Sequence, residues 1–198
     1  MRIICTIPFA FLAPAISQAA TVSIDVRGAD GNPLSGAVIM IDTPKKGPGP
    51  IKFSWAYEMA QRNIAFDPHV LIVPVGSSVS FPNRDKVRHH VYSFSQAKKF
   101  DLKLYGKDET RSITFDKPGV VALGCNIHDS MNGFVLVVDT PFAAQTDANG
   151  HVTIANVPPG GATVRLWHPS VRAAQNMLAQ TVTIAPTGFS TTYTVRGK

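Results

Sequence analysis

The sequence predicts an all-β protein built from two sandwiches, one set inside the other. Three observations lead there. Of 198 residues only 16% are charged, while 15 are glycine and 15 proline, a loop-rich globular profile rather than a disordered one. Apolar runs are short, alternate with polar residues and are separated by turn residues, which is the strand pattern. The composition also changes after Thr140, where a second style of β sequence begins.

In chain order, Arg2, the apolar run 3–16 and the small-x-small site Ser17-Gln18-Ala19 read as an export signal, so 1–19 is expected to be a cleaved signal peptide. The run is too short to span a bilayer. Val22, Ile24 and Val26 alternate with Ser23, Asp25 and Arg27, and 37–42 is a second apolar run beyond the 28–33 turn. KKGPGP is a breaker-rich connection. Residues 51–66 read as a short irregular or helical segment, with Trp55 and Met59 four apart on one face and Met59 in the core. Strands are expected over 70–75, 79–81, 90–94, 111–115, 119–123 and 134–138, making a two-sheet antiparallel sandwich over 51–139. FDLKLY, 100–105, alternates as an edge strand or a loop.

The chemistry is concentrated in GCNIHDSMNG, 124–133. Cys125, His128 and Met131 stand three apart, and Gly124, Asn126, Asp129, Ser130, Asn132 and Gly133 make the segment a loop rather than a helix. Such a loop can curl all three donors round one ion. A thiolate with imidazoles and a weak thioether is the set that selects copper in electron-transfer sites. The missing imidazole is His89 or His90, and spacing alone leaves that choice open. Once Cys5 leaves with the signal, Cys125 is the only cysteine, and an exported lone thiol is protected when a metal holds it.

These motifs resemble the cupredoxins, the blue-copper family that includes plastocyanin and amicyanin. The Cys-x-x-His-x-x-Met spacing is similar to amicyanin's short ligand loop, and Asn83-Arg84-Asp85 before His89 and Val91 is similar to the segment that precedes the family's first ligand. FPN, HHVYSFS and GCNIH also resemble a group of periplasmic proteins, some labelled methylamine utilisation proteins. The resemblance implies one type 1 copper per chain, with His89, Cys125 and His128 in the plane and Met131 axial. It puts His90 where most members carry an asparagine that helps tie the two ligand loops together. The flanks, 21–44 and 140–198, resemble a carboxypeptidase regulatory-like, prealbumin-type sandwich, through Asp30-Gly31, TDANGHVTI and VPPG. The copper unit then interrupts a loop of that sandwich, as insertions can when loop ends are close.

The expected function is one-electron transfer in the periplasm between redox partner proteins, and not catalysis. No Gly-x-Ser-x-Gly elbow, phosphate loop or haem motif is present. A copper chaperone or store, and a copper enzyme with a second metal, are the alternatives. His69, His151 and His168 lack metal spacing and are expected to be surface or hydrogen-bonded. The formal charge of +6 fits acidic partners or peripheral contact with an anionic membrane better than nucleic acid, since the basic doublets lack interleaved aromatics. Asp129, Ser130 and Asn132 predict a polar rim around the ligand loop.

Overall fold

The computed structural model describes residues 19–44 and 49–196. The expected signal peptide lies, apart from Ala19, outside the described residues. The first strands are β1 (Ala20–Gly28) and β2 (Val38–Asp42). Then follow β3 (Ala60–Arg62), β4 (Ala65–Asp67), β5 (Val70–Pro74), β6 (Ser77–Pro82), β7 (His89–Phe94), β8 (Lys99–Tyr105), β9 (Thr110–Phe115), β10 (Gly119–Cys125) and β11 (Asn132–Val138). The last are β12 (Ala143–Gln145), β13 (His151–Val157), β14 (Gly160–Trp167), β15 (Met177–Ile184) and β16 (Phe189–Val195).

Strands before residue 44 and after 140 pair only with one another, in the orders β13-β1-β16 and β12-β2-β14-β15. Between these two sheets lie Val22, Ile24, Ile39, Ile41, Val164 and Leu166. The intervening strands form a five-stranded sheet, β5-β11-β10-β7-β8, facing the pair β6-β9. Their core holds Leu71, Val73, Val79, Phe81, Val121 and Val135. In the larger sheet β11 runs parallel to β5 and antiparallel to β10.

Three runs do not alternate, VIMI in β2, VLIV in β5 and VLVV in β11, and their residues are buried throughout. The reason is a third core. Ile39 and Ile41, Leu71 and Val73, Val135 and Val137 point into the two sandwiches, whereas Val38, Met40, Val70, Ile72, Leu136 and Val138 meet each other and Trp167 between them. A strand covered on both faces needs an apolar residue at every position.

Of the two readings of 51–66, irregular or helical, the structure takes the irregular one up to Met59 and adds a strand hairpin after it. Met59 is buried, but in extended chain whose amide donates to the Ser80 carbonyl. Trp55 is 39% exposed, stacks on Phe53 at 4.5 Å and donates its indole N–H to the Ile72 carbonyl. β3 and β4 form a hairpin whose turn residues, Asn63 and Ile64, have φ of 53° and 57°. Two consecutive left-handed residues make the tight turn that suits strand twist, and isoleucine is an uncommon occupant. The four-residue spacing of Trp55 and Met59 thus came from two unrelated packing sites. The segment FDLKLY is the edge strand β8.

Candidate metal centre

β7 brings His89 in from one side, and the β10–β11 loop brings Cys125, His128 and Met131 from the other. The facing of β7 is set by its pairing with β10, where Val91 stands opposite Cys125, and a bulge in its other neighbour leaves it undisturbed. Between the pairs His90 with Leu104 and Tyr92 with Asp101, β8 carries one extra residue, and Lys103 sits there with φ 59°. The irregularity therefore falls on β8, and β7 keeps strict alternation. His89 points into the core with 0% exposure, while His90 points out and its Nε2 meets the Asp101 carboxylate at 2.5 Å.

One ring nitrogen of each histidine aims at the sulfur: Cys125 Sγ lies 3.8 Å from His89 Nδ1 and 3.6 Å from His128 Nδ1. All three donor atoms fall within 4.8 Å of one another, and no other such group of histidine, cysteine and acidic side chains occurs among the described residues. The spacing can be tested against coordination geometry. Thiolate and imidazole bonds of about 2.3 and 2.0 Å to a shared ion, opened to a trigonal angle, set sulfur and nitrogen about 3.7 Å apart. The donor set fits a trigonal ion. Met131 is 2% exposed in the same core cluster as Cys125, and its amide closes a turn onto the His128 carbonyl. Cys125 is 4% exposed and His128 half-buried, so the sulfur is shielded and one imidazole edge reaches solvent.

Asp85 and Asn83 hold His89. Asp85 accepts from the Asn63 and Ile64 amides at 2.7 and 2.8 Å and contacts His89 Nε2 at 2.8 Å. A carboxylate at Nε2 fixes the proton there and leaves the Nδ1 lone pair for a metal. Burial raises the Asp85 carboxyl, but the Ile64 amide, the His89 imidazole and the Asn63 amide together outweigh it and hold it below the usual carboxylate range. Asn83, fully buried, accepts from the Asp85 amide and donates to the Val87 and Tyr105 carbonyls. The left-handed turn at Asn63 and Ile64 thus aims two amides at the carboxylate that orients His89. In the sequence, Asn83-Arg84-Asp85 stands out only by its likeness to a family segment, and nothing local links Ile64 to Asp85.

His90 does not tie the ligand loops with its side chain. That link is made by backbone, the Asn126 amide donating to the His90 carbonyl at 3.3 Å. The remaining histidines lie outside the cluster. His151 Nδ1 is 2.9 Å from Asp25, His168 Nδ1 accepts from Ser170, and the exposed His69 packs edge-on against Phe134. The rim is mixed rather than polar: Ile127 beside His128 is 49% exposed and Val87, two residues before His89, 43%.

No protein-family model and no curated protein matches the chain. Solved structures do. A purple cupredoxin from Nitrosopumilus maritimus is 24% identical with TM-score 0.38, covering 41% of this chain and 98% of its own. A reduced amicyanin mutant is 24% identical, TM-score 0.39, over 50% of this chain and 98% of its own. A copper-containing nitrite reductase from Thermus scotoductus is 26% identical, TM-score 0.41, over 50% of this chain and 28% of its own. The strand order carries the assignment: the ligand loop joins two neighbouring strands of the larger sheet, and the first histidine stands on the strand beside them. The central sandwich has the cupredoxin fold. In the central sandwich the apolar core runs up to Cys125 and Met131, so side chains from strands of both its sheets hold the donor atoms in place. A shell of that kind resists rearrangement and excludes water from the thiolate.

Proposed function

We propose that the chain is an exported one-electron carrier with one type 1 copper, which His89, Cys125, His128 and Met131 would hold. The observation that carries this is the convergence of the two Nδ1 atoms on one buried sulfur at 3.6 and 3.8 Å. Copper bound there would supply reversible one-electron exchange. The residues of the chain do the rest: Asp85 fixes the His89 proton on Nε2, the core keeps the donors at one separation, and half-buried His128 offers an edge to a partner. A rigid donor set lowers the reorganisation that accompanies a change of ion charge.

Export and a periplasmic site of action are supported by the 1–19 sequence pattern and by the unpaired buried thiol. Among the described residues no helix is long and apolar enough to cross a membrane. The flanking sheets are read as one regulatory-like sandwich, 21–44 with 140–198, into which the 51–139 unit is inserted. Its support is that the flanking strands pair with each other across the insertion.

The test is the optical spectrum and metal content of the copper-loaded mature protein. Intense absorption in the red from thiolate-to-copper charge transfer is expected, at one copper per chain. A pale product overturns the type 1 reading, and two coppers per chain would favour an enzyme.

A further inference from the structure

The outer face of the five-stranded sheet is treated differently along its width. Its β5 and β11 half is covered by the flanking sandwich, through Val70, Ile72, Leu136 and Val138 against Met40 and Trp167. The β10, β7 and β8 half is uncovered and carries an aromatic row: His90 to Tyr92 at 6.0 Å and Tyr92 to Phe94 at 5.1 Å between ring centroids. Phe94 is 79% exposed, the most exposed large apolar side chain of those described, and Leu104, paired with His90 across to β8, is 39% exposed. Single exposed apolar residues are ordinary, but a contiguous row on one sheet face marks an interaction site.

The row reaches the residue before Cys125 by a specific contact. Tyr92 pairs with Gly124, and a Cβ at Gly124 would lie 2.8 Å from the Tyr92 ring. The ring therefore rests on the backbone of the residue immediately before Cys125, on the opposite face from the sulfur. The neighbourhood is also strongly charged. Residues 85–109 hold six basic side chains, Lys86, Arg88, Lys98, Lys99, Lys103 and Lys107, against four acids, Asp85, Asp101, Asp108 and Glu109, a net +2. Lys98, Lys103 and Lys107 have carboxylate partners, whereas Lys86, Arg88 and Lys99 have none among the described residues. Lys99 stands directly opposite Phe94 in the strand pair. Beyond Phe94 the face drops into an open cleft of about 590 Å³, lined by Ser95, Lys117 and Ala122 from the central body and Asn176 from the flanking one.

We infer that the Tyr92–Phe94 face is a docking surface for an acidic redox protein, separate from the His128 edge. An aromatic row with the unpaired Lys99 beside it, on a basic edge of the sheet, selects a partner with an apolar patch flanked by carboxylates: the charges steer the encounter and set its salt dependence, and the aromatics supply desolvated contact. A partner seated there is one residue from Cys125. Its use rests on the electron-carrier reading, but its geometry does not.

The experiment titrates the isotope-labelled, metal-free full chain with a plant-type [2Fe–2S] ferredoxin as acidic probe and cytochrome c as basic comparison, following backbone amides by NMR. With ferredoxin, saturable shifts and broadening are expected at 90–94, 99–104 and 122–124, weakening as salt rises to physiological strength. Cytochrome c is expected to produce none there. Phe94→Ser and Lys99→Glu should each weaken ferredoxin binding about tenfold with unchanged circular dichroism, because both side chains are on the surface. Shifts centred on Val87, Ile127 and His128, absence of saturable shifts, or unchanged affinity in both variants would each overturn the proposal. So would concentration-dependent shifts at these amides in the chain alone, which would make a second copy the occupant. Because no copper is involved, failure here leaves the copper reading standing, and a pale copper-loaded product leaves this surface standing.

Discussion

In the central sandwich the fully buried polar residues are Gln61, Asn83, His89 and Ser93, whereas in the flanking one they are Thr140 and Thr146. Apart from Ser93, which takes the Ser95 amide, the first group works toward the site. Gln61 accepts from the Tyr105 hydroxyl at 2.6 Å beneath the His89 strand, and Asn83 braces the loop that carries Asp85. Burial pushes the Tyr105 phenol well above its ordinary value, so it stays a neutral donor. The second group closes a split chain. Thr146 takes the Ala37 amide and gives its hydroxyl to the Leu34 carbonyl, and Thr140 gives its own to the Ile41 carbonyl, each spanning the insertion. Buried polar groups are tolerated only when satisfied, so where they cluster shows which geometry a structure must hold. Here one body holds metal donors and the other holds its own two halves.

That contrast can be broken or sharpened by substitution. The largest effect is expected from Cys125→Ser and His89→Ala, each of which should abolish the red absorption of the copper-loaded protein while circular dichroism keeps its β signature. Retention of the band in either variant would remove that residue from the donor set. Next, Trp167→Ala empties the core between the bodies and should cost about 3–5 kcal/mol, read by thermal unfolding. A single unchanged transition would mean that the two sandwiches do not support one another.

Thr146→Val is expected to cost about 1–3 kcal/mol, because the Ala37 amide is left buried without a partner. The red band should be untouched, and a spectral change would show that the flanking body reaches the site. Asp85→Asn should lower copper affinity about 10–100-fold in competition titrations, with little change in melting temperature. Equal affinity would mean that the core alone orients His89. Smallest is His90→Ala, which should leave the protein coloured with a modestly shifted potential. Bleaching there would place the ligand one residue further along β7.

Much of this was legible in the residues themselves. Alternation marked β1 and the central strands, because side chains on a strand face opposite sides. The continuous runs of β2, β5 and β11 marked strands buried twice, although their common interface was not readable from any one of them. The Cys-x-x-His-x-x-Met loop declared its chemistry because three of the four candidate donors lie within seven residues, so local chain suffices to gather them. Other features needed the tertiary structure. Whether His89 or His90 faces inward depends on how β7 registers against β10, where Val91 stands opposite Cys125, and sequence spacing does not reveal that pairing. The role of Asp85 depends on amides from a distant turn earlier in the chain, and the helical reading of 51–66 fails because Met59 and Trp55 answer to different neighbours. Donor types and short-range spacing are properties of the chain, whereas register, facing and long-range hydrogen bonds exist only once separate strands have met.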